Sequence, residues 1–139
     1  KLIPPNVEIR RLGKLADYVI CESDGSRGLP LKAHSEYEPV IPEGTDQTIL
    51  VMGIDGIGKA ISSTCHRPEV YAKLAGVSMD SIVTSKLAMK VVNSEGFGTK
   101  ILINKVETKE QMDVAKDMCK YAAVPVIAGS IRNGEYECL

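Results

Sequence analysis

Four short apolar runs punctuate this chain, each closing on glycine, an acid or a small or polar residue. They are residues 18–22 (Tyr18-Val-Ile-Cys-Glu22), 48–53 (Thr48-Ile-Leu-Val-Met-Gly53), 100–104 (Lys100-Ile-Leu-Ile-Asn104) and 124–128 (Val124-Pro-Val-Ile-Ala128). Their cores are apolar continuously rather than alternately, which suits strands of a parallel sheet covered on both faces. Pro125 restricts the last run to a sheet edge, or to the first residues of a strand. Between the runs, apolar positions recur at helical spacing. Thr84 can cap a helix to about Asn93 that aligns Leu87, Ala88, Val91 and Val92. Thr108 and Gln111 have the spacing of a capping box and open a helix to about Tyr121, with Met112, Ala115, Met118, Cys119 and Ala122 on its inner face. Pro68 suits the first turn of a helix that stops at Ala75, before Gly76. Residues 6–15 are expected to form a helix leading into the first strand. Strand and helix alternate throughout, so the expected fold is α/β: a three-layer, mostly parallel sheet with helices on both faces. Residues 25–47 break the rhythm with charge and three prolines. So long an irregular stretch inside a compact domain is usually functional.

Composition narrows the classes. At 139 residues the chain fits one domain, and 44% hydrophobic with 25% charged residues is ordinary for a soluble globular protein. A net charge of −1 leaves no electrostatic footprint for nucleic acid or an anionic membrane. One Phe, five Tyr and no Trp offer little for stacking bases. No apolar run approaches the roughly 20 residues that span a bilayer. Cys21, Cys65, Cys119 and Cys138 are dispersed and contain no C-x-x-C pair, so neither zinc spacing nor a dense disulfide framework is present. Reduced thiols in the cytoplasm are expected, with Cys21 and Cys119 as small core residues in apolar contexts. The chain opens at Lys1 without the apolar core of a signal peptide. It is expected to be a single α/β domain over 1–139, the C-terminal majority of a larger nucleotide-binding protein.

The chemistry concentrates after the first apolar run. Between Glu22 and Lys32 lie two carboxylates, Glu22 and Asp24, with Ser26, Arg27, Lys32 and two glycines. Ligands in parallel α/β sheets bind beyond the carboxyl ends of the strands. A carboxylate at such an end can hold the hydrated Mg²⁺ of a nucleotide, and Arg27 and Lys32 can neutralise phosphate. A polar turn with local ion pairs fits the same residues. Gly53-x4-Gly58-Lys59 nearly spells a phosphate loop, but Ala60 stands where a Ser or Thr hydroxyl must ligate magnesium, and Asp55 puts a carboxylate where polyphosphate would sit. A glycine-rich strand-to-helix turn is the better reading. Asn104-Lys105-Val106-Glu107 is similar to the N-K-x-D element of GTP-binding proteins, with Glu one methylene longer than the Asp that pairs with guanine. His66-Arg67 offers a proton carrier or metal ligand beside a phosphate clamp. Pro68 directly after them gives the plainer account, a helix start with an exposed His.

Taken in order, Glu22-Ser-Asp-Gly-Ser-Arg-Gly-Leu-Pro-Leu-Lys32-Ala, Glu38-Pro-Val-Ile-Pro42, Gly53-x-Asp-x-Ile-Gly58, His66-Arg67-Pro-Glu69 and Asn104-Lys105 resemble the YqeC-like proteins. That family is described as accessory to selenium-dependent molybdenum hydroxylases. It resembles a branch of the P-loop NTPases near the metallochaperone GTPases, with a Gly-rich loop ending Gly-Lys-Thr-Thr near the N-terminus. No such loop occurs in this chain, and Ser23 replaces the family's usual Ala. The resemblance implies that Glu22 and Asp24 are Walker-B-like acids, catalytic and metal-holding. Ser26, Arg27 and Lys32 would line the nucleotide or metal-cargo face, and Asn104 and Lys105 would approach the base.

The implied function is a maturation factor for a molybdenum hydroxylase, switching on Mg²⁺ and a purine nucleotide, ATP or GTP. Weak NTPase activity is expected only if an N-terminal phosphate loop is supplied. The implied partners are the hydroxylase or its cofactor and the nucleotide, with no nucleic acid and no membrane, and with homodimerisation left open. The alternative is a non-enzymatic domain that holds a metal, an oxyanion or a protein on the 22–42 loop. A small-molecule enzyme using His66 as base ranks last.

Overall fold

In the computed structural model, residue 7 and residues 9–139 are described. In chain order the elements are α1 (Ile9–Leu12), β1 (Leu31–Lys32), β2 (Ile49–Gly53), a 3-10 turn (Ile54–Gly56), α2 (Ile61–Thr64), β3 (Cys65–His66) and α3 (Pro68–Ala75). There follow α4 (Ser85–Glu95), β4 (Lys100–Asn104), α5 (Lys109–Cys119), β5 (Val126–Ser130) and β6 (Glu135–Cys138). The main sheet has the order β2-β4-β5-β6; its first three strands are parallel and β6 is antiparallel. A separate parallel ladder pairs β1 with β3.

The α/β class follows from the alternation of patterns. Thr84 accepts from the Leu87 amide to cap α4, and Thr108 and Gln111 close a full capping box on α5. Pro68 opens α3, and Gly76, in the left-handed conformation at φ 74°, ends it. Strand burial alternates although the sequence does not. Met52, Ile101, Ile103, Val126 and Ala128 are buried on the face packed by α4 and α5. On the opposite face Ile49 and Val51 are 53% and 56% exposed, and Leu102 and Ile127 are half-buried. The expected helical cover is therefore complete on one face, and among the described residues the other stays partly open. No helix among them is long and apolar enough to cross a membrane.

Several expectations are corrected. Residues 18–22 form no strand: Tyr18 and Ile20 are 87% and 94% exposed, and Cys21 is exposed rather than in the core. A strand exists only where a neighbour takes its amides and carbonyls, and among the described residues none lies beside this run. Cys119 does pack against the core. Of the helix expected over residues 6–15, only Ile9–Leu12 is helical; residues 6 and 8 lie outside the described residues. Pro125 precedes the first residue of β5, which is not an edge strand because β6 bonds to its far side. β6 itself is short, charged and exposed, so no apolar run announces it.

Candidate functional site

Two assemblies compete for the role. The first is a charged corner built on the β1–β3 ladder, where Lys32 and His66 are register partners. The Lys32 ammonium pairs with Asp24, lies 3.3 Å from the Glu38 carboxylate and donates to the Gly25 carbonyl at 2.9 Å. Arg67, held at φ 60° ahead of α3, grips Glu38 with two hydrogen bonds of 3.0 and 2.6 Å. His34 donates its backbone N–H to Glu95 at 2.7 Å, and its Nδ1 lies 3.0 Å from the same carboxylate. Arg67, assisted by Lys32, holds the Glu38 carboxyl down at about 2. Burial, with the cations Lys32, Arg27 and Arg67 nearby, lowers His66, so its imidazole favours the neutral form. Its buried Nδ1 has no partner among the described residues.

The candidates from the 22–32 loop divide over this corner. Asp24 and Lys32 are drawn into the network. Ser26 closes a local turn, its hydroxyl donating to the Leu29 carbonyl at 2.7 Å. Glu22 and Arg27 are exposed, Arg27 with a positive φ of 54°. Asp24 accepts from Lys32 and from its neighbouring amide, that of Gly25. Among the described residues no three His, Cys, Asp or Glu side chains gather as a metal cage. As arranged, a magnesium ion does not fit Asp24 unless the Lys32 ammonium leaves it, since both would seek the same carboxylate.

The second assembly is a cleft over the carboxyl ends of β2, β4 and β5, the place where parallel sheets bind ligands. It has a volume of 590 Å³ and is lined by Asp55, Asn104, Lys105, Glu107, Gln111, Ser130, Ile131 and Arg132. The chain leaves β4 at Asn104, turns through Lys105 at φ 65°, and buries Val106 as an anchor. Three hydrogen bonds then staple this loop to the end of β5 and the residue that follows it. Val106 N–H donates to the Gly129 carbonyl at 3.0 Å, Ile131 N–H to Asn104 Oδ1 at 2.9 Å, and the Ser130 hydroxyl to Glu107 Oε1 at 3.0 Å. Gln111 accepts from the amides of Glu107 and Thr108, locking the loop to the start of α5. Lys105 reaches Asp55 at 2.9 Å, tying β4 to the 3-10 turn. A neighbouring, more apolar hollow of 440 Å³ shares Asp55 and Gln111 and adds Ile54, Ile57, Lys59 and Val114.

Asn104 and Lys105 thus stand in one wall of one cavity, while no residue of 22–42 lines either hollow. The Gly53–Lys59 segment uses its glycine amides internally: Gly53 N–H donates to the Pro30 carbonyl and Gly58 N–H to the Val83 carbonyl, each at 2.8 Å. Gly53 has a steric reason as well, since a Cβ there would collide with the Asp55 carboxylate and with Pro30. The sequence reading missed Ser130, Arg132 and Gln111 as cleft residues and treated Asp55 only as an obstacle to phosphate. A polar Gly-Ser pair closing the last apolar run was the available signal. It also left Glu38 without a role and preferred an exposed His66, whereas Glu38 is the hub between Lys32 and Arg67.

Residues 2–69 match the family described as YqeC protein. The protein of Escherichia coli (strain K12) described as "Uncharacterized protein YqeC" is 41% identical over 66 residues, which is 47% of this chain and 26% of that protein. The matched stretch therefore spans about a quarter of that relative's length. No solved structure matches.

Proposed function

This is a YqeC-like chain through residues 2–69, and from that premise we propose that it is an accessory protein for the maturation of a selenium-dependent molybdenum hydroxylase, working by binding a purine nucleotide. The accessory role is what the family resemblance implies. The observation that supports nucleotide binding is the stapled cleft at the strand ends, which carries Asn104 and Lys105 on one rigid loop. Preorganised polar groups bind well because little ordering remains to be done on contact. The base would lie against the Lys105 stem, with Asn104 on its edge. Glu22 and Asp24 are the acids proposed for Mg²⁺, and Ser26, Arg27 and Lys32 for phosphate. The Lys32–Asp24 pair must open for a metal to reach Asp24, whereas the cleft needs no such change. Titrating Mg-ATP and Mg-GTP calorimetrically tests the reading; binding lost in Asn104→Ala is the expected result, and no heat from either nucleotide would refute it.

The alternative, a non-enzymatic domain holding an oxyanion, a metal or a protein on the 22–42 loop, is favoured by one observation. The charges of Lys32, Arg27 and Arg67 all act on His66, in the corner where Lys32 and His66 are register partners and Glu38 binds Lys32 and Arg67. Heats with molybdate or selenite that vanish in Arg67→Ala, with none from nucleotides, would select it.

A further inference from the structure

Resting on the accessory-protein reading, we propose that residues 36–43 form a docking ridge, with Tyr37, Val40 and Ile41 entering an apolar pocket of a partner protein whose rim is basic. Tyr37 and Val40 are 80% and 69% exposed, and Ile41 is exposed beside them. Apolar residues scattered singly over a surface are ordinary. Here three fall within five positions of a segment that is bonded on both sides. Before the ridge, Ala33 is fully buried and its N–H donates to the His66 carbonyl at 3.2 Å. Within it, the Glu38 N–H donates to the Ser35 carbonyl at 3.0 Å, and the Glu38 carboxylate is gripped by Arg67 and lies 3.3 Å from the Lys32 ammonium. At its end, the Thr45 hydroxyl donates to the Pro42 carbonyl at 2.7 Å, and Arg10 pairs with Glu43 at 3.0 Å. Tyr37 therefore directly precedes the clamped residue, and Val40 and Ile41 lie between Pro39 and Pro42, whose φ angles are fixed by their rings. An element ordered before contact loses little entropy on binding, and aromatic side chains are frequent anchors of protein interfaces. The ion pairs of Glu38 in the charged corner thereby brace the ridge.

Charge and size specify the occupant. Residues 33–47 contain four acids, Glu36, Glu38, Glu43 and Asp46, and no lysine or arginine. Glu36, Glu43 and Asp46 are exposed, so the apolar ridge has an acidic border. A basic rim complements that border and speeds encounter, whereas the anionic surface of a membrane repels it. A stable dimer engages roughly 20–30 residues on each side. The ridge offers eight positions, which suits a transient contact with a different protein better than pairing with a second copy. Transient contact is also what an accessory protein needs, since it must leave once its task is done.

The experiment is biolayer interferometry of the full chain against a purified selenium-dependent molybdenum hydroxylase freed of its cofactor. It is repeated on Tyr37→Ala, on the double variant Tyr37→Ala with Val40→Ser, on Glu36→Lys with Asp46→Lys, and on Ile20→Ser. The expected result is binding that Tyr37→Ala weakens about tenfold or more and the double variant weakens further. Glu36→Lys with Asp46→Lys should slow association, and rising salt should do the same to the unaltered chain. Ile20→Ser, equally apolar and exposed but outside the ridge, should leave affinity unchanged. Because the substituted side chains are exposed, urea denaturation should give the same midpoint for every variant, which separates lost docking from lost folding. Unaltered affinity in the double variant would overturn the ridge while leaving the accessory reading intact. Absence of binding by the unaltered chain would overturn both. A dimer seen by sedimentation and lost in Tyr37→Ala would make the occupant a second copy, and would overturn the proposal in that way.

Discussion

The two halves of this molecule carry different kinds of information. Residues 2–69, the half that matches the YqeC family, contain the distinctive motifs, but the described residues among them form little regular structure. Several of their charged residues are tied into pairs: Lys32 with Asp24 and Glu38, Arg67 with Glu38. The second half has plainer sequence, yet it supplies β4, β5 and the two capped helices α4 and α5 that frame the cleft. Distinctive sequence and preorganised geometry thus lie in different places, and Asp55 with Lys105 is where they meet. A network of satisfied ion pairs resists ligands until something displaces a partner. A cleft with oriented but unused polar atoms does not.

Substitutions test that contrast, beginning with the core. Ile103 is fully buried in β4 beneath α4 and α5. Ile103→Ala is expected to lose about 2–5 kcal/mol of stability, measured by urea denaturation. If it loses little, the sheet does not carry the stability assigned to it. Next comes Thr108→Ala, which removes the side-chain acceptor of the α5 capping box. About 1 kcal/mol should be lost, and because Gln111 bonds back to Glu107, the cleft amides should exchange faster with solvent. Unchanged exchange at residues 105–108 would show that the loop is held independently of the helix.

The charged corner answers to pH instead. Glu38 is held near 2 in the folded protein, below its ordinary carboxylate value. A depressed folded value means that the contribution is complete above the unfolded value, and it is lost as pH falls toward about 2. Limited proteolysis should find residues 33–47 equally protected at pH 7 and pH 5 and progressively cut below pH 4. Glu38→Gln should abolish that acid dependence. Protection that fails already at pH 6 would instead implicate a histidine. Smallest of all is Ile20→Ser: with the side chain 94% exposed, stability should change by no more than about 0.5 kcal/mol. A larger loss would mean that the 18–22 run is packed in solution.

These contrasts also explain what was legible in the sequence. Helix ends were legible because caps are local chemistry: Thr84, Thr108-Gln111, Pro68 and Gly76 each act within one turn. Parallel strands 49–53 and 100–104 were legible because their continuous apolar runs match a helix-covered sheet. The same reasoning failed at Tyr18-Val-Ile-Cys21, since apolarity marks competence for a strand and pairing requires a neighbour that sequence cannot name. β6 was invisible for the opposite reason: its Glu-Tyr-Glu-Cys residues carry no apolar signal, and only hydrogen bonding to β5 makes it a strand. In the cleft, Asn104 and Lys105 stood out by motif. Ser130 and Arg132, 26 and 28 residues beyond Asn104 in the numbering, join them only through the β4–β5 pairing.

Photo-crosslinking with 8-azido-ATP and 8-azido-GTP, followed by peptide mapping, tests the central claim most directly. The account predicts label from at least one of them in the peptides that contain residues 104–111 and 130–132, diminished by the unmodified nucleotide. Label confined to residues 22–42, or no label that competes, would contradict it.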